Sequence, residues 1–153
     1  MEYQARQARI TDIDRLYALC AESGALTGTG ATLDGPNLLR QLVYMPNASV
    51  LVAEAGRQIA GGAVLALRPS IRVGGFVGTV DVLVTGEGHD VGRVADVLID
   101  EVLRSARRKG CTSVEVPVPA DATLDACWKR RGFSPAAENI YRAEVVVRAP
   151  VIR

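Results

Sequence analysis

Residues 84–111 read VTGEGHDVGRVADVLIDEVLRSARRKGC. Val84 ends an apolar strand pattern, a glycine-rich loop follows, and a long helical pattern begins. Within 91–109, Val94, Leu98, Val102 and Ala106 recur every fourth residue, with Val91, Ala95 and Ile99 beside them, so one stripe of the helix is apolar. Asp96, Asp100, Arg104 and Arg108 fall on another face, and Asp100 and Arg104 have a favourable i,i+4 spacing. Arg107, Arg108 and Lys109 stand where the negative helix end favours cations, and Gly110 is the residue expected just beyond the cap. At the other end, unpaired N–H groups and a partial positive charge suit a phosphate. The same loop carries Glu87 and Asp90, which repel one. Asp90 also reads as an N-cap, whose carboxylate would bond the N–H of Gly92 or Arg93. A bound phosphate would need those same donors.

Working outward, 76–84 (FVGTVDVLV) is a strand whose near-continuous apolar character predicts burial on both faces. Residues 112–118 (TSVEVPV) form the next strand, so 76–118 is a strand–helix–strand crossover with parallel strands and a right-handed connection. Towards the N-terminus, 8–10 read as a short strand and Thr11 as the N-cap of a helix over 12–22, where Ile13, Leu16, Tyr17 and Cys20 share a face. Residues 24–35 (GALTGTGATLDG) read as an irregular loop, and 36–44 as a helix with Pro36 in its first turn. Strands at 49–55 and 58–67 flank the tight turn at Gly56 and Arg57. Towards the C-terminus, 122–131 suits a helix stopped by Gly132, and 140–147 (IYRAEVVV) a final strand. The expectation is an α/β (α+β) single domain over 1–153. Its mixed sheet has an antiparallel N-terminal half, a central parallel crossover and helices on both faces.

The chain has 153 residues, 48% apolar, 23% charged, with a net charge of +1. That length supports one core, and the interspersed charges give no basic surface for nucleic acid or anionic membrane. No run reaches the roughly 20 apolar residues of a membrane span. The opening MEYQARQARITD lacks the apolar core of a signal peptide, so a cytoplasmic location is expected. Three dispersed cysteines, Cys20, Cys111 and Cys127, lie in apolar segments and read as buried thiols. With one histidine, His89, and no paired cysteine spacing, no metal site is expected.

The order of elements resembles the GNAT superfamily of acyl-CoA N-acyltransferases over nearly the whole chain, most strongly from Thr79 to Phe133. The family pattern is a strand, an Arg/Gln-x-x-Gly-x-Gly/Ala loop, a long helix, a second strand and a helix closed by Gly-Phe. Here these are TVDVLV, Glu87-Gly88-His89-Asp90-Val91-Gly92, the long helix, SVEVPV, and Trp128-Lys129-Arg130-Arg131-Gly132-Phe133. The resemblance implies acetyl-CoA as co-substrate. Backbone groups of Val82, Leu83 and Val84 would hold its pantetheine arm. The loop Gly88, His89, Asp90, Val91, Gly92 and Arg93 would hold its diphosphate. Asp121 and Trp128 stand where the family often has Asn and Tyr, so the usual acid is replaced by an indole that is no useful one. Glu87 and Asp90 replace a basic or amide residue and a glycine.

Acyl transfer needs a group to take the proton of the acceptor ammonium. The resemblance puts Asp81 in that role; the plainer reading is a polar side chain tied to backbone or pointing off the sheet edge. Glu115 is a weaker candidate for that role and reads rather as a solvated strand residue; Cys127 and Tyr141 could stand in for the missing acid but read rather as core; and His89 reads as an exposed loop residue rather than a catalytic base. The implied function is N-acetyl transfer to an amine of a small molecule or peptide. Its acceptor site would be flanked by 24–35, 36–44 and the end of the last strand. The alternative is a GNAT-fold module that binds a ligand or partner with weak or no CoA binding. The apolar C-terminal YRAEVVVRAPVIR suits either a homodimer edge or an edge covered within one chain.

Overall fold

The computed structural model describes residues 1–28, 34–136 and 141–143. Its elements are β1 (Gln4–Gln7), a 3-10 turn (Ile10–Asp12), α1 (Ile13–Glu22), α2 (Gly35–Tyr44), β2 (Ala48–Ala55), β3 (Gln58–Ser70), β4 (Gly75–Thr85), α3 (Val91–Arg108), β5 (Cys111–Glu115) and α4 (Ala122–Arg130). The strands follow one another in a sheet of order β1-β2-β3-β4-β5. Neighbours pair antiparallel, except β4 and β5, which are parallel as the crossover requires. The mixed α/β sheet with a parallel crossover is therefore as expected. The final strand expected at 140–147 lies outside the described residues, as does part of the loop expected at 24–35.

Each face of the sheet carries its own apolar cluster. Val94, Leu98, Ile99 and Val102 of α3, with Cys127 and Trp128 of α4, pack on Leu51, Leu65 and Val80. Ile13, Leu16 and Leu19 of α1, with Leu39 of α2, pack on Val50, Val52, Val64 and Val84. Two adjacent glycines of β3 bring α1 and α3 this close. A Cβ on Gly61 would stand 2.5 Å from the Val84 carbonyl and 2.7 Å from Val94 Cγ1. A Cβ on Gly62, which faces the other way, would run into Leu16 Cδ1.

Several local expectations need correction. The first strand lies at Gln4–Gln7, not 8–10, because it forms by pairing with Leu51–Glu54 of β2. Thr11 falls inside the 3-10 turn and does not cap α1. Asp12 takes the N-cap place, and its carboxylate is engaged by Arg6 at 2.7 and 3.2 Å and by the Arg9 N–H at 2.7 Å. Asp100 does not pair with Arg104. Arg104 bonds Glu101 at 2.8 Å, whereas Asp100 receives Arg131 at 3.2 Å, tying α4 to α3. Burial on both faces of β4 is also incomplete: Phe76 and Asp81 are exposed.

Two features of β4 shape the site. Val64 pairs with Val82 and Leu65 with Val80, so Asp81 is the extra residue of a β-bulge. Pairing between β4 and β5 runs from Phe76 to Thr79 on one strand and from Cys111 to Glu115 on the other, where β5 ends. Beyond Thr79, β4 continues to Thr85 with no strand beside it on that edge among the described residues.

Candidate functional site

The open edge of β4 leads to the N-terminus of α3. On one side Val82, Leu83 and Val84 pair with Val64, Ala63 and Gly62 of β3. Their side chains insert into the two apolar clusters, which fixes the strand rigidly. On the other side their backbone groups can accept an extended amide chain as an added strand. Asp81, at the mouth of this slot, is exposed. Its charge reaches Cys20 in α1, whose thiol is pushed up first by burial and then by Asp81. Glu115 is exposed at the end of β5, opposite Thr79.

The loop after β4 turns through Gly88 at φ +82°, a left-handed conformation suited to glycine. The start of α3 is bound up internally in part. Asp90 is its N-cap, and Asp90 Oδ1 accepts the Arg93 N–H at 3.1 Å. The Asp90 N–H goes to Tyr3 Oη at 3.2 Å, the His89 N–H to the Gly86 carbonyl at 3.3 Å, and the Val94 N–H to the Asp90 carbonyl at 2.9 Å. Tyr3 Oη is also hydrogen-bonded to His89 Nδ1, 3.2 Å away, with the direction set by the imidazole tautomer. The Tyr3 and His89 rings meet edge to face, with centroids 5.7 Å apart, and the Arg93 guanidinium lies 5.4 Å from the centre of the Tyr3 ring. Tyr3 is buried and pins the loop from beneath. Sequence reasoning missed it, since an aromatic residue near the chain start carries no signal for a contact 86 positions away. His89, expected to be exposed, is instead half-buried against Tyr3.

The remaining candidates surround this centre. A Cβ on Gly92 would touch Asp90 Oδ1 and Thr123 Cγ2, each at 3.6 Å, so the first turn of α4 lies over this glycine. Cys127 Sγ is 3.7 Å from the Gly92 carbonyl. Asp121 caps α4, accepting the Leu124 N–H at 3.0 Å. Trp128 is buried and packs edge to face on Phe133 at 4.7 Å, as part of the core. Burial raises all three cysteine thiols, with Asp81 and Asp96 adding to the rise at Cys20 and Cys127, so none is a ready thiolate nucleophile. Among the described residues no cluster of histidine, cysteine and carboxylates could hold a metal ion. Among the same residues no helix is long and apolar enough to cross a membrane.

The fit to acetyl-CoA differs along its length. A neutral arm with two amides suits the open β4 edge. At the helix N-terminus the geometry suits an anionic oxygen, and the Asp90 carboxylate stands there as one. A second negative charge about 5 Å from it would cost about 1 kcal/mol in water and about 3 kcal/mol at an effective dielectric near 20. The attraction of the helix end for an anion, about 0.3–2 kcal/mol, is no larger.

No family model matches the sequence, and no curated protein is detectably similar to it. Solved structures are similar in fold. Glucosamine-6-phosphate N-acetyltransferase from Arabidopsis thaliana is 15% identical with a TM-score of 0.70, over 94% of this chain and 99% of that one. Ribosomal-protein-alanine N-acetyltransferase from Brucella melitensis biovar Abortus 2308 is 15% identical with a TM-score of 0.72, over 94% and 99%. A transcriptional regulator from Bacillus halodurans C-125 is 14% identical with a TM-score of 0.76, over 93% and 99%. The chain has the GNAT fold.

Proposed function

We propose that this chain is an N-acetyltransferase that moves an acetyl group from acetyl-CoA to the amine of a small molecule or peptide. The observation that carries the reading is the parting of β4 from β5 after Thr79, beside the α3 N-terminus. When bound, acetyl-CoA supplies an acyl group activated by a thiolate leaving group. The backbone of Val82, Leu83 and Val84 holds its extended arm by strand addition. Asp81, lifted out of the ladder by the bulge, takes a proton from the acceptor ammonium, directly or through one water. The freed amine attacks the thioester carbonyl: the C–N bond forms, the C–S bond breaks, the sulfur leaves with the electron pair, and the second proton of the nitrogen passes to solvent as the neutral amide forms. Trp128 is buried and has no acidic proton, so no side chain at that position protonates the sulfur. A thiolate is a sufficiently stable leaving group without it. The open edge, and the fold's occurrence in acetyltransferases that act on a sugar phosphate and on a ribosomal protein, support the reading.

A thermal shift experiment tests it. Acetyl-CoA at 100 times its Kd should add about 2.7 kcal/mol, or roughly 5–10 °C in Tm for a domain of this size. An unchanged Tm at millimolar acetyl-CoA removes the enzymatic reading. It promotes a second one, favoured by the internal occupation of the α3 N-terminus: a GNAT-fold module that binds a ligand or partner without acyl transfer.

A further inference from the structure

We infer that this chain recognises its acyl donor through the pantetheine arm, with Asp90 filling the diphosphate cradle. Pantetheine thioesters that lack a diphosphate are then donors of equal standing to CoA. This rests on the proposed acyl transfer and specifies the donor class of the same site.

The inference follows from where the loop donors go. Of the N–H groups around the α3 start, that of Arg93 is held by the Asp90 carboxylate and that of Asp90 by Tyr3 Oη. That of His89 is held by the Gly86 carbonyl and that of Val94 by the Asp90 carbonyl, the first ordinary bond of the helix, while those of Val91 and Gly92 have no hydrogen-bond partner among the described residues. Tyr3 cannot easily give way. Its ring is buried in the cluster beneath α3, its hydroxyl is also tied to His89 Nδ1, and the neighbouring Gln4 is fixed in the sheet opposite Glu54. The loop's cation, Arg93, lies over the Tyr3 ring. To use the Arg93 N–H a diphosphate must therefore displace a capping carboxylate, and at Gly92 it must still approach that negative charge. A pantetheine arm is uncharged and meets none of this. It needs only the free edge of β4, where Val82, Leu83 and Val84 have no partner strand on that side among the described residues. Discrimination by charge thus falls on one residue, Asp90. Its backbone, at φ −74° and ψ 106°, can be occupied by any side chain without strain.

Calorimetric titration of CoA and of pantetheine into the wild type, Asp90→Gly and Asp90→Asn at low salt tests the inference. Wild type should bind the two ligands within tenfold of each other. Asp90→Gly keeps most of the N-cap preference, frees the Arg93 N–H and removes the charge. It should bind CoA at least tenfold more tightly, equivalent to about 1.4 kcal/mol, with pantetheine unchanged. The gain should shrink at high salt, where the repulsion is already screened. Asp90→Asn keeps a capping oxygen but loses the charge, so its gain for CoA should be smaller and of the same sign; it serves if the glycine variant unfolds. Wild type binding CoA more than tenfold tighter than pantetheine, or no gain for CoA in either variant, overturns this inference and leaves acyl transfer standing. Binding of neither ligand by any of the three proteins overturns both.

Discussion

Asp81 is a residue that the β-ladder leaves out. Val80 and Val82 are each matched on β3, so the aspartate between them is free of the pairing that would otherwise fix its direction. It is exposed, yet near enough to α1 to act on Cys20. If it takes the acceptor's proton, Asp81→Asn should lower kcat by about a hundredfold or more while leaving donor affinity unchanged. Calorimetry beside steady-state kinetics separates the two, and unaltered turnover assigns Asp81 a structural role only. Asp12 is an acid with a different task. The Arg6 hydrogen bonds lower its pKa first, burial opposes them, and the Arg9 N–H lowers it further. A folded value below the unfolded one stabilises above the unfolded value, near pH 4, and that stability is lost as pH falls through the folded value. Asp12→Asn should therefore cost about 1–3 kcal/mol at pH 7, and the gap to wild type should close towards pH 3 in urea titrations. A gap that stays constant with pH would show that packing, not charge, holds Arg6. Neither of these acids announces its environment in the sequence. Asp81 was legible as a candidate only through its position in a family pattern, and the engagement of Asp12 by Arg6 not at all, since the pairing depends on how the 3-10 turn closes on β1.

Among the elements, α3 was the most legible and β1 the least. The apolar stripe of α3 repeats over five turns, and all of Val94, Ala95, Leu98, Ile99, Val102 and Ala106 are buried. By contrast β1 reads QARQ, has no apolar alternation, and becomes a strand because β2 offers it an edge. The seating of α3 depends on Gly61, a residue of another element. Gly61→Ala would drive a methyl group against the Val84 carbonyl, which belongs to the sheet backbone and cannot rotate away. The expected cost is about 1–3 kcal/mol, read as a lower urea midpoint with an unchanged m-value. A neutral substitution would mean that β3 and α3 can separate without loss, contrary to the close packing at Val94 and Leu98. The same change should also weaken donor binding, because Val84 forms the wall of the open slot.

At the scale of the molecule, both apolar clusters are built on the same strands. Leu51 and Leu65 point into the cluster under α3, whereas Val50, Val52 and Val64 point into the one under α1. Loss of either cluster exposes one face of the sheet that supports the other. The described residues should therefore unfold as one cooperative unit. Leu98→Ala on one face and Leu16→Ala on the other, both fully buried, should each lower a single shared transition by about 2–5 kcal/mol. Two transitions in calorimetry, each moved by only one of the substitutions, would show two independent units instead.

The sequence by itself determined the order of the elements among the described residues, the long helix and the parallel crossover, because these rest on periodicity and on turn residues within a few positions of one another. It also determined that Asp90 caps α3, a contact spanning three residues. What only the tertiary structure decided is how the loop is held and where the slot opens. Tyr3 reaches the Asp90 N–H across 87 positions, and β5 stops at Glu115, short of the seven-residue strand that 112–118 suggests. Both outcomes depend on contacts between segments far apart in the chain. A local pattern records what a segment can form, whereas its partners are selected by the packing of the whole sheet.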